Sequence, residues 1–193
     1  WVPGGSELEV AAIDPLKGGM FYTLAQAPPS AGRLPQFHRK SSCLACHIGR
    51  STLSVPGFMV RSFQVDRAGK PLAGYSRVTH ATPLANRWGG WYVTGRHGRV
   101  VHLGNLVGAT DNKRHRQDPA FGGNRRRLDV NLDDYLSRHS DLVAHLVFNH
   151  QLHGQNLLIR VGYEARLGRL SDAEQQLVRY LLFADEAPLA DSV

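Results

Sequence analysis

Cys43-Leu44-Ala45-Cys46-His47 sets two thiols three positions apart and an imidazole directly after the second. These are the only cysteines among the 193 residues, so no disulfide framework staples the fold and all the sulfur chemistry resides in one short stretch. Structural zinc would need four closed nitrogen and sulfur ligands. No further cysteine supplies them, and only a remote set completed by His150 and His153 remains. A thioredoxin-like dithiol would follow a buried strand. The residues upstream, Gln36-Phe37-His38-Arg39-Lys40-Ser41-Ser42, are polar instead, and that reading leaves His47 unexplained.

The spacing is that of a c-type haem attachment site. Each thiol can form a thioether to one porphyrin vinyl group, and the adjacent His47 then lies under the ring as proximal iron ligand. The expectation is one covalently bound haem c, held by Cys43, Cys46 and His47. In this motif the chain resembles c-type cytochromes. The resemblance implies a periplasmic or otherwise exported protein, because such haems are attached outside the cytoplasm. No basic n-region and apolar h-region open at Trp1, so a signal peptide already removed, or a longer precursor, is expected. No apolar run approaches the ~18–20 residues that cross a bilayer.

A hydrophobic content of 42% in 193 residues suffices for one core, and the reading is a single haem c domain over 1–193. Twenty glycines and ten prolines point to an irregular, loop-rich α+β fold. The net charge of +7 is concentrated in 113–127, where Lys113, Arg114, Arg116, Arg125, Arg126 and Arg127 face only Asp118. Pro119, Gly122, Gly123 and Asn124 make this a surface loop, suited to docking an acidic redox partner. Only Phe121 interleaves its charges, so nucleic acid is not expected.

Prolines bar any long helix from residues 1–40, which read as extended or loop. A short helix carries the motif and ends by Gly49. The turn Gly69-Lys70-Pro71 joins strand-like runs 58–65 and 72–79 into a hairpin. A second hairpin is read from 88–95 and 99–103 about Arg96-His97-Gly98. Ser140 opens a helix over 141–167, and the capping box Ser171-Asp172-Ala173-Glu174 opens another over 172–183.

The sixth iron position decides function. Methionine raises the potential, a second histidine lowers it, and an open site admits small molecules. Met20 sits in the N-terminal loop region and Met59 lies only 12 residues after His47. Among nine further histidines, His150 falls on the apolar face of the long helix and is the leading distal ligand, with His80, His97, His102 and Met59 as alternatives. His38, His115, His139, His145 and His153 read as surface or capping residues. Arg87 can pair a haem propionate, and Trp88 and Trp91 can wall the porphyrin.

The stretch 170–181 resembles the C-terminal helix of many small c-type cytochromes. The segment 78–105, with His139-Ser140-Asp141 and His150-Gln151, is similar to a group of uncharacterised bacterial monohaem proteins. Compact class I cytochromes place a helix before the motif and a methionine well after it, and this chain departs from both. Two function classes follow. The first is electron transfer by a carrier or subunit with histidine axial ligation. The second is a five-coordinate haem enzyme or small-ligand sensor, peroxidase-like or binding nitric oxide, with His97 or His102 and Arg87 or Arg96 at an open iron. A structural haem subunit of a larger redox complex is a further alternative.

Overall fold

The computed structural model describes residues 5–26, 32, 34–124, 132–133, 135–169 and 172–189. Its elements are β1 (Glu7–Asp14), β2 (Gly18–Ala25), β3 (Phe37–Arg39), α1 (Leu44–His47), β4 (Val60–Val65), β5 (Pro71–Val78), α2 (Gly108–Gln117), α3 (Leu142–Arg166) and α4 (Ala173–Leu181). Two small antiparallel sheets and two C-terminal helices make an α+β fold. The chain forms two compact units. One comprises Trp1–Phe58 with Gly154–Val178, the other Met59–His153 with Arg179–Val193.

In the first unit, β2 lies between β1 and β3. Residues read as extended or loop thus form a regular sheet, with β1 and β2 paired without a shift from Glu7 and Ala25 to Asp14 and Gly18. Gly18 and Gly19 let β2 approach the chain at Pro56: the Gly19 amide donates to the Pro56 carbonyl at 2.7 Å, and a Cβ on Gly18 would stand 2.7 Å from the same oxygen. The second half of α3 ties down the β1–β2 turn. Tyr163 Oη donates to the Lys17 carbonyl at 3.0 Å and Arg166 Nη2 to that of Leu16 at 2.9 Å. Asn156, 1% exposed, binds both backbone groups of Phe58: it accepts from the amide at 2.8 Å and donates to the carbonyl at 2.7 Å.

The second unit contains the β4–β5 hairpin, which forms where the sequence places it, with a bulge between Phe63 and Val65. Its core gathers Leu84, Trp88, Val93, Val100, Leu142 and Ala187, with Trp91 and Leu146 packed alongside. The hairpin expected over 88–103 is absent. Trp88, Gly90, Gly95 and Gly98 all take positive φ, which breaks the pleat a strand needs. The Asn105 side chain instead pairs with the backbone of Val93, donating at 2.7 Å and accepting at 2.8 Å. The loop expected over 113–127 begins as helix α2, because its glycines and proline all fall after Gln117. Arg125, Arg126 and Arg127 lie outside the described residues, as do Leu170 and Ser171. The long helix is capped by Asp141 and not Ser140: Asp141 Oδ1 accepts the Ala144 amide at 2.8 Å. No described helix is long and apolar enough to cross a membrane.

Replacing Asn156 by leucine strands two buried backbone groups. The expected cost is about 2–4 kcal/mol, read in a thermal melt as a Tm drop of roughly 5–15 °C. A change under about 2 °C would contradict the clamp.

Candidate cofactor site around Cys43, Cys46 and His47

β3 runs through Lys40 into a single 3-10 turn, Ser41–Cys43, and then into α1. Cys43 is half-buried, Cys46 is exposed, and neither is in a disulfide. At three residues apart around a helical turn, both thiols lie on one side of this segment. The imidazole of His47 is fixed at two points. Its Nδ1 lies 2.9 Å from the Gly57 carbonyl, and its ring lies 4.3 Å from that of Phe21. A carbonyl only accepts, so Nδ1 carries the proton and Nε2 keeps its lone pair. The Gly57 amide returns a bond to the His47 carbonyl at 3.0 Å, so one residue grips His47 through both its backbone groups.

The loop between them is held from within. Thr52, fully buried, accepts the Gly49 amide at 3.1 Å and donates to the Val55 carbonyl at 2.7 Å. Gly57 is required by space: a Cβ there would meet Asn156 Oδ1 at 2.2 Å. In the sequence Pro56-Gly57 carries no more than a turn signal, since the acceptor is a backbone atom and the clamping Asn156 is 99 residues away.

These donors fit a haem. His47 Nε2 has no hydrogen-bond partner among the described residues, and its ring is oriented by the bond at Nδ1, as metal-bound imidazoles usually are. The thiols are unpaired, and exposed apolar side chains, Ile48 and Phe37, stand near the motif in sequence. They do not fit zinc: among the described residues no group of three or more His, Cys, Asp or Glu side chains is gathered that could hold a metal ion.

Cys43, Cys46 and His47 belong to the first unit; Arg87, Trp88, Trp91, Met59, His80, His97, His102 and His150 belong to the second. Arg87, 1% exposed, donates through Nε to the Thr82 carbonyl at 2.7 Å and through Nη2 to that of His80 at 2.6 Å, with Glu186 at 3.8 Å. Its fork therefore crosslinks the second unit's own backbone. Trp88 is fully buried in the core, and Trp91 Nε1 donates to the Arg61 carbonyl at 2.9 Å.

The second unit's histidines have assignable protons. His102 Nδ1 accepts the Gly104 amide at 2.9 Å, so Nε2 is protonated and donates to His97 Nε2 at 3.0 Å. His97 Nε2 also accepts the Asn124 amide at 3.0 Å, which leaves its proton on Nδ1. His145 donates from Nε2 to the Tyr92 carbonyl at 2.8 Å, between the rings of Trp88 and Trp91. The His150 ring is stacked between Tyr180 at 4.4 Å and Phe183 at 4.8 Å, and its Nδ1 is buried without a partner among the described residues. Comparison with protein families, with curated proteins and with solved structures finds no match.

Burial holds His102 neutral, its pKa pushed down from 6.5 to about 3, with His97 and His145 adding repulsion. Burial likewise lowers His153 to about 4, with His80 adding repulsion. Below pH 6.5 the unfolded chain takes up protons that the folded chain refuses, so this stability is complete above pH 6.5 and is lost as pH falls toward 4. His102 alone contributes about 1.4 kcal/mol per pH unit in that window. Urea midpoints should therefore fall steadily from pH 7 to pH 5, and a midpoint constant over that range would contradict the neutral assignment.

Proposed function

We propose that this chain is a monohaem c-type cytochrome that carries electrons outside the cytoplasm, either as a free carrier or as a subunit of a larger redox complex. The observation that supports it most is the hydrogen bond from His47 Nδ1 to Gly57, which presents Nε2 as a ligand beside two unpaired thiols. Cys43 and Cys46 would hold the haem and His47 would bind its iron. The bound haem supplies one-electron exchange, with a potential set by the axial ligands. The protein's part is to fix the imidazole against Phe21, to surround it with apolar side chains and to offer a docking face. Lys113, Arg114 and Arg116 are exposed on α2 and supply positive charge for an acidic redox partner. The enzyme or sensor alternative draws less support, because an acid–base role for His97 or His102 would break the buried bonds that both rings make.

The test is expression in a host able to attach haem c, followed by acid–acetone extraction. Wild type should retain its haem, and Cys43→Ala combined with Cys46→Ala should reduce the retained haem at least tenfold. Equal retention in the double variant would overturn the proposal.

A further inference from the structure

The haem reading leaves the sixth iron position open, and the first unit contains a group suited to it. Directly paired residues of antiparallel strands share a face, as do alternate residues along one strand. Thr23 pairs with His38 on β3, so His38 shares a face with Thr23 and Phe21. That is the face on which the His47 ring packs against Phe21. Thr23 is 5% exposed, and its Oγ1 is buried without a partner among the described residues.

Three further observations favour His38. The strand that carries it is continuous with the attachment motif: the Lys40 amide extends the β3–β2 pairing to the Phe21 carbonyl at 2.9 Å before the turn into Cys43. Its ring is exposed, and no described residue hydrogen-bonds it. Met20, the methionine of the first unit, falls on the opposite face of β2 from Phe21 and Thr23. In contrast, His102 uses both ring nitrogens and His97 uses Nε2 twice within the second unit.

We propose that His38 is the second axial ligand, giving an iron held by two imidazoles, those of His47 and His38. The proposal rests on the haem reading. It implies a six-coordinate, low-spin iron at the low-potential end of the range, below that of a methionine-ligated carrier.

The experiment is to record optical and electron paramagnetic resonance spectra of purified wild type, His38→Ala, His38→Met and His150→Ala, with and without carbon monoxide. Wild type should be low-spin and indifferent to carbon monoxide. His38→Ala should turn high-spin, bind carbon monoxide and regain the low-spin spectrum on adding imidazole. His38→Met should keep a low-spin iron at a raised midpoint potential. A low-spin spectrum unchanged in His38→Ala, or one lost in His150→Ala instead, overturns the assignment while the haem reading stands; so does a high-spin wild type. A wild type with no covalent haem overturns both.

Discussion

The reciprocal bond between His47 and Gly57 is the constraint on which the first unit's site depends. It sets the proton on Nδ1, aims Nε2 away from the backbone and fixes the ring against Phe21. A bond of this kind raises the basicity of the coordinating nitrogen and removes a rotational freedom that ligand binding would otherwise cost. Its supports are all local to that unit. Gly57 has no side chain because Asn156 occupies the space, and Asn156 is held there by both backbone groups of Phe58. The second half of α3 therefore reaches the imidazole through only three residues.

The second unit uses its histidines differently. In the chain from Gly104 through His102 and His97 to Asn124, each ring nitrogen that bonds has one fixed role, which requires both rings to be neutral. Such rings serve as polar cross-braces in a glycine-rich segment that forms no sheet of its own. Arg87 does the same for the turn at His80 and Thr82, where a guanidinium replaces the ladder bonds of a strand. A sequence rich in His and Arg can therefore spend much of that chemistry on architecture.

What was legible from sequence was whatever short-range patterning determines. The β4–β5 hairpin, α3 and α4 follow from alternation and helical spacing, and the motif's short helix follows from its breakers. The β1–β2 pair is hard to read from sequence because the alternation of Glu7-Leu8-Glu9-Val10 is interrupted by Ala11-Ala12, and its partner strand opens on Gly18-Gly19. The expected 88–103 hairpin shows the opposite error. β-branched and aromatic residues are enriched there, yet positive φ at Trp88 and at successive glycines decides the backbone. At the candidate site, Cys43, Cys46 and His47 stand out in the sequence because covalent haem attachment would require this spacing. Gly57, Asn156 and the sheet face bearing His38 were not, since they depend on backbone atoms and strand register.

The account stands or falls on whether the two thiols carry the porphyrin. Intact-mass measurement of the exported wild-type protein, before and after alkylation under denaturing conditions, tests this directly. The account predicts a chain heavier by one haem, with neither Cys43 nor Cys46 alkylated. A chain of unmodified mass in which both cysteines alkylate would contradict it.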